Sequence, residues 1–314
     1  MEHKIVISDC DHNSVDIEMS TFRESGLTCD KLQCMTEEEL ITGCADATVM
    51  IVQNARITRN VLQNLPKLKH IVRYGVGFDA VDIGTARELG IQVSNVPDYG
   101  THEVADQAAA LTLALYRKLN LADSAVRQGR WNYEEFIPIH RFSALTVGLI
   151  GIGRIGEQYA LRMNAFGPKI IAVDDKARSI PDFVTIKSFE EVIKQSDIIS
   201  IHCPADGNID LIGADEINSM KDGVIIVNVS RGGIINEEAL DKALASGKVS
   251  GCGLDVTAVE PIPADNPLLR HKNLTITPHM GWYTEEAAKE LKQKVAQEAI
   301  RFVKGEKILY SVID

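Results

Sequence analysis

The sequence predicts an α/β protein with parallel sheets, divided into more than one compact unit, and three observations carry that reading. The chain has 314 residues, long for a single domain at roughly 150 residues each. Short runs rich in Ile and Val alternate with segments of helical spacing, the rhythm of strand and helix in turn. Those runs are apolar throughout instead of alternating, which is the pattern of strands covered on both faces. Hydrophobic residues make up 45% of the chain and charged residues 25%. That composition can bury a sizeable core and excludes a disordered, collagen-like or coiled-coil chain.

The first candidate strands fall at 4–8, 49–53 and 70–74, with a helical segment at 58–65 among them. Residues 101–128 follow, rich in Ala and Leu, with Glu103 and Asp106 early and Arg117 and Lys118 later. That charge order suits the helix dipole, so the segment reads as one long helix or two joined ones. It could pack within one domain, link two, or supply a subunit interface. A second series of strands then falls at 147–150, 170–173, 198–202, 224–229, 253–256 and 275–277. The stretch 284–303 is helical in composition, and Gly305 is placed to stop it.

Charge and hydropathy narrow the function classes. Lys and Arg total 33 against 44 Asp and Glu, a formal charge of −11, so a polyanion meets a repulsive average field. Nucleic acid is not expected as a direct ligand. The apolar stretches, such as that around Ala108 to Tyr116, fall short of the roughly 20 residues that span a bilayer. No membrane span is expected. The opening MEHKIVISDC is too short in apolar residues for a secretory core, and the expected location is cytoplasmic. Cys10, Cys29, Cys34, Cys44, Cys203 and Cys252 form no C-x-x-C pair and no zinc-like spacing with His. They read as reduced and mainly buried, with no metal site.

The most informative stretch is VGLIGIGRIGEQYALRMNAFGPKIIAVDD. A strand leads into Gly151, Gly153 and Gly156 in G-x-G-x-x-G spacing, then a helix, then a second strand ending at Asp174 and Asp175. The first glycine permits the tight turn, the second lets a pyrophosphate approach the backbone, and the third allows close helix–strand packing. Unpaired amides of the helix N-terminus then face the phosphates. An acid at the end of the second strand accepts from ribose hydroxyls and repels a 2′-phosphate. The pattern predicts a Rossmann unit that binds NAD in preference to NADP. Arg178 is the nearby residue that could accommodate a phosphate.

Three later segments place polar residues at the ends of candidate strands, where open parallel sheets form their ligand crevice. They are VNVSRGG with Arg231, GLDVTAVEP with Asp255 and Glu260, and TPHMGW with His279. Oxidising a hydroxy acid needs a base for the hydroxyl proton, a cation for the carboxylate and a cofactor for the hydride. A neutral imidazole at His279 can be the base, Glu260 can stabilise the imidazolium, and the planar fork of Arg231 can hold a carboxylate.

With those segments, RYGVGFDAVD and GIGRIG, the chain resembles the D-isomer-specific 2-hydroxyacid dehydrogenases over essentially its whole length. The resemblance implies that Arg231, Glu260 and His279 are the catalytic set, with the backbone around Val76 and Gly77 receiving the substrate carboxylate and Asp255 meeting the nicotinamide carboxamide. The cofactor contacts expected are Gly151, Gly153, Arg154, Ile155, Gly156, Asp174, Cys203, Pro204, Val229, Ser230 and Asp255. It further implies two Rossmann-like domains with parallel sheets. The NAD-binding domain, 101–283, is inserted into a discontinuous substrate domain, 1–100 plus 284–314, with a small 2-hydroxy or 2-oxo acid in the cleft. Two subunits would pair through the cofactor domain and its long helix. After Cys203 and Pro204 the text ADGNIDLI departs from the Thr-rich text of many relatives on the adenosine side.

The stretch IVRYGVGFDAVDIGTARELGIQVSNVPDYG and the HMGWYTEE after His279 look like the C-terminal-binding-protein branch of that family. In that branch the position of Trp282 lines the substrate pocket and that of Arg73 adds an anionic anchor. An indole suits an apolar substrate tail, although Trp282 reads equally well as a packing aromatic. Glyoxylate, hydroxypyruvate, a branched or thioether 2-oxo acid and 3-phosphoglycerate all carry the groups the catalytic set recognises. The branch also offers a different class of function, an NADH-responsive binding protein with little turnover.

Overall fold

The computed structural model describes residues 3–176 and 180–313, so Arg178 lies outside the described residues. The chain forms two compact units, residues 1–99 with 284–314 and residues 100–283.

The first unit is built on five parallel strands: β1 (Ile5–Ile7), β2 (Cys29–Lys31), β3 (Val49–Val52), β4 (His70–Arg73) and β5 (Gln92–Ser94). They lie in the order β2-β1-β3-β4-β5. Between them run α1 (Asp16–Glu24), α2 (Glu37–Gly43), α3 (Arg59–Gln63) and α4 (Ile83–Glu88). Thr36 and Glu39 start α2 with a reciprocal capping box, and the Thr58 and Asp82 side chains cap α3 and α4. Met50, Val52, Leu62, Ile71 and Val93 centre the core.

The imidazole of His70 is wholly buried in this sheet, with Nε2 at 2.5 Å from Ser94 Oγ and its ring on Phe302. Burial pulls its pKa down to about 3, so the folded chain keeps the ring neutral while the unfolded chain protonates it below about pH 6.5. The unfolded state therefore binds the extra proton as pH falls through that window, and stability present above pH 6.5 drains away below it. Between pH 7.5 and 5, wild type should lose about 2 kcal/mol more than His70→Gln, read from urea midpoints. Equal losses would mean that the ring protonates without cost.

The second unit opens with α5 (Thr101–Tyr116) and α6 (Leu119–Arg127), two helices broken where Lys118 adopts a left-handed conformation, φ 53°. Seven parallel strands follow: β6 (Thr146–Ile150), β7 (Lys169–Val173), β8 (Val184–Ile186), β9 (Ile198–Ile201), β10 (Val224–Asn228), β11 (Val249–Leu254) and β12 (Leu274–Ile276). Their order is β12-β11-β10-β9-β6-β7-β8. The connecting helices are α7 (Arg154–Asn164), α8 (Phe189–Gln195), α9 (Ala214–Ser219) and α10 (Glu237–Ser246). Alternate residues of one strand enter different cores: Ile225 and Val227 pack with α5 and α7, whereas Val224 and Ile226 pack with α8, α9 and α10. Both faces are covered, which is why these strands read as unbroken apolar runs. The last helix, α11 (Glu285–Val303), belongs to the first unit and ends just before Gly305, φ 67°.

Two parallel sheets of five and seven strands match the predicted fold class. The long Ala-rich segment resolves as two joined helices. Four cysteines are buried and Cys29 and Cys203 half-buried, all six as free thiols.

Candidate active site

The turn after β6 has the geometry that a dinucleotide requires. Gly151 sits at φ 92°, and a Cβ there would press within 2.9 Å of the Cys203 amide nitrogen. A Cβ at Gly156 would collide with the Gly151 carbonyl, so α7 packs directly on the turn. At exposed Gly153 a Cβ would meet nothing within 4 Å, and no side chain caps the N-terminus of α7. The amides that follow, from exposed Arg154 and half-buried Ile155, are thus open to a pyrophosphate. Asp174 follows β7, half-buried, with Oδ2 accepting from Ile152 N–H at 2.8 Å and Oδ1 from Lys176 N–H at 2.7 Å. The acid expected at the ribose is therefore also an anchor of the glycine turn. These residues fit NAD.

Cys203 and Pro204 follow β9. Burial, with the Asp174 charge adding to it, pushes the Cys203 thiol up to about 11. It is no nucleophile near neutral pH. The Cys203 carbonyl accepts from the Ser230 hydroxyl, which ties the ends of β9 and β10 together.

Beyond β10, Val229, Ser230 and Arg231 form a turn held by one buried side chain. Asn228 Oδ1 accepts from Ser230 N–H at 3.0 Å and its Nδ2 donates to the Arg231 carbonyl at 2.8 Å. Arg231 Nη1 donates to the Ser230 carbonyl at 2.8 Å. A Cβ at Gly232 would collide with the Thr257 carbonyl, so this turn rests on the loop after β11. That loop is fixed in its turn by Glu237, whose carboxylate accepts from Ala258 N–H at 2.7 Å and from Asn266 Nδ2 at 3.2 Å.

Glu260 and His279 meet. Glu260 Oε1 accepts from Thr257 N–H at 3.0 Å, and Oε2 lies 2.6 Å from His279 Nδ1. Burial alone would push the Glu260 carboxyl up. The hydrogen bonds and charge of His279, the Thr257 amide and the Arg231 guanidinium outweigh it and hold the carboxyl below its ordinary value. An ionised carboxylate can only accept, so Nδ1 carries the proton and Nε2 is the ring atom that can take one from a substrate. The His279 side chain is 45% exposed, open to a ligand.

His279 has φ 50°, a left-handed conformation that costs a non-glycine residue about 1–2 kcal/mol. Its N–H donates to the carbonyls of Asp255 and Thr277, each at 2.9 Å. The buried Asp255 carboxylate accepts from Thr277 Oγ1–H at 2.5 Å, Met280 N–H at 3.1 Å and Gly281 N–H at 2.8 Å. Asp255, read from sequence as a cofactor contact, is thus bonded in the structure to the turn that bears His279. Trp282 comes next, its backbone against Gly100 and its ring edge-on to Tyr283 at 5.5 Å.

The remaining expected site residues lie in the first unit. Arg73 ends β4, and its guanidinium occupies the space a Cβ on Gly75, φ 106°, would need. The Val76 carbonyl accepts from Asn95 Nδ2 at 2.6 Å, and the Val76 side chain is exposed beside Gly77. Asn228, Gly232, Glu237 and Thr277 were not singled out in the sequence. Asn228 and Gly232 flank Arg231 in a quoted motif, and adjacency was their only signal.

Residues 109–281 match the family model described as D-isomer specific 2-hydroxyacid dehydrogenase, NAD binding domain. The chain belongs to that family. It is 35% identical to a hydroxypyruvate reductase of Blautia hydrogenotrophica over 284 residues, covering 88% of each chain. It is 37% identical to a D-3-phosphoglycerate dehydrogenase of Archaeoglobus fulgidus over 288 residues, 90% of this chain and 54% of that one. This family member therefore spans about half the length of that relative. Among solved structures, D-lactate dehydrogenase from Aquifex aeolicus, complexed with NAD and lactic acid, superposes with a TM-score of 0.89, 27% identity and 99% coverage of both chains. Its cofactor is NAD, as the glycine turn and the family domain agree.

Proposed function

We propose that the protein interconverts a small D-2-hydroxy acid and its 2-oxo acid, with His279 as acid–base, Glu260 as its partner and Arg231 as the carboxylate anchor. The observation that carries this reading is the 2.6 Å contact between His279 Nδ1 and Glu260, which commits one ring nitrogen and leaves Nε2 for the reacting hydroxyl. When bound, NAD supplies the hydride acceptor in one direction and the donor in the other. In oxidation the hydroxyl proton passes to Nε2, and Glu260 stabilises the resulting imidazolium; in reduction the imidazolium returns that proton to the nascent alkoxide. Arg73 and the backbone of Val76 and Gly77 add substrate contacts, and Trp282 contacts the tail. Gly151, Gly153, Arg154, Ile155, Gly156, Asp174, Cys203, Pro204, Val229, Ser230 and Asp255 form the cofactor contacts. The named hydroxypyruvate reductase of matching length supports a short 2-oxo acid.

Steady NADH oxidation with at least one of glyoxylate, hydroxypyruvate, a thioether or branched 2-oxo acid and 3-phosphohydroxypyruvate is the expected result. No turnover with any of them, together with tight NADH binding, would favour an NADH-responsive binding protein instead.

Asp174→Ala should weaken NADH by about tenfold, the worth of a charge-assisted hydrogen bond, and narrow the preference over NADPH. Asp174→Asn, which keeps an acceptor for Ile152 N–H, should lose less NADH affinity. An unchanged NADH to NADPH ratio in both variants would remove the ribose role.

A second copy of the chain is the proposed partner. Trp131, Tyr133 and Ile137, in the segment after α6, are 88%, 78% and 63% exposed, and large apolar side chains so exposed within one short segment suit an interface. Trp131→Ser should shift the protein from dimer to monomer in sedimentation; a wild-type monomer would end that proposal. Among the described residues no helix is long and apolar enough to cross a membrane. Free thiols suit a reducing compartment such as the cytoplasm.

A further inference from the structure

We infer that Gln107, Thr277 and Asp255 form a clasp that sets the aim of His279, and that Gln107 and Thr277 are positioning residues for its chemistry. The inference rests on the reading of His279 as the acid–base and adds what holds that ring in place. Gln107, on α5, donates from Nε2 to Thr277 Oγ1 at 3.0 Å. The Thr277 hydroxyl, its oxygen taken as acceptor, passes its own hydrogen to Asp255 Oδ1 at 2.5 Å. Asp255 in turn binds the amides of Met280 and Gly281, the two residues after His279. All donors converge on the Asp255 carboxylate, from the helix by way of Thr277 on one side and from the amides of Met280 and Gly281 on the other, so the charge gathers the turn from both sides of His279. A left-handed residue persists only where its neighbours over-determine it, and here the neighbours are these bonds. Packing closes the clasp: a Cβ on Gly281 would lie 2.8 Å from Asp255 Oδ2 and 3.2 Å from Gln107 Cγ.

Thr277→Val removes both hydroxyl bonds at nearly constant volume. It should lower kcat about 10- to 100-fold, the scale of a small misplacement of a reacting group, with the dissociation constant for NADH nearly unchanged. Thr277→Ser should restore turnover to within about twofold, since the hydroxyl is what matters, and Gln107→Leu should lower kcat about fivefold. The second readout is NMR of the imidazole in the NADH-free protein, with the His279 signals identified by their loss in His279→Ala. Thr277→Val should shift or broaden the Nδ1–H resonance, and Thr277→Ser should not. Wild-type turnover with an unchanged imidazole spectrum in Thr277→Val would overturn the clasp. Should that variant not fold, Gly281→Ala, which keeps every polar group, is expected to show the same signature and an unchanged spectrum would overturn it equally. Activity surviving in His279→Ala would remove the acid–base reading, while the imidazole spectra would still judge the clasp.

Discussion

Replacing His279 by alanine is expected to lower kcat by about 10²- to 10⁴-fold, the usual worth of a positioned acid–base group. The loss should fall on turnover. Cofactor affinity is expected to stay near wild type, because the glycine turn and the N-terminus of α7 owe nothing to the imidazole. Stopped-flow traces of NADH oxidation give the first quantity and fluorescence titration with NADH the second. Glu260→Gln should fall between this variant and wild type. An amide can still orient Nδ1–H through its carbonyl oxygen but leaves the imidazolium without a counter-charge. Full activity in His279→Ala with every 2-oxo acid tried would remove the proposed mechanism at its root.

Arg231→Ala should cost about 10²- to 10³-fold in kcat/KM, the range for removing one partner of a desolvated charge pair. Arg231→Lys should recover little of it, since an ammonium cannot reproduce the planar two-point grip on a carboxylate. A second consequence follows from Glu260. The Arg231 charge is one of the causes holding that carboxyl below its ordinary value, so removing it lets the pKa climb. The acidic limb of the kcat/KM profile should then move to higher pH in Arg231→Ala. A profile that keeps its acidic limb, with kcat/KM within threefold of wild type, would show that the guanidinium neither binds substrate nor bears on Glu260.

Much of this was legible in the sequence, and the physical reasons differ by residue. The central strands announced themselves because both of their faces are buried. The edge strands β2, β5 and β8 did not: Cys29–Lys31, Gln92–Ser94 and Val184–Ile186 are three residues each and partly exposed, too short to show a period. The break at Lys118 was invisible because a left-handed lysine has no compositional signature. Gly151, Gly153 and Gly156 were readable because the motif assigns each a separate steric demand; the structure shows that demand at Gly151 and Gly156, where a Cβ would press on neighbouring backbone. Glu260 and His279 were named from separate segments and lie in contact. What sequence could not supply was the scaffold beneath them: the double grip of Asn228, the seat of Gly232 under Thr257, and the way Asp255 is spent on the turn beside it. These depend on which strand ends become neighbours, and that order, with β10 between β9 and β11, is a property of the folded sheet.

The bond from Ile152 to Asp174 has a bearing on any attempt to re-engineer cofactor choice. That bond draws the carboxylate against the loop and fixes its orientation, so the side chain proposed to meet the ribose is also a support of the glycine turn. A redesign toward NADPH that simply deletes the acid would strip the loop of a hinge pin at the same moment. Successful variants will need a neutral acceptor at position 174 and a cation introduced elsewhere.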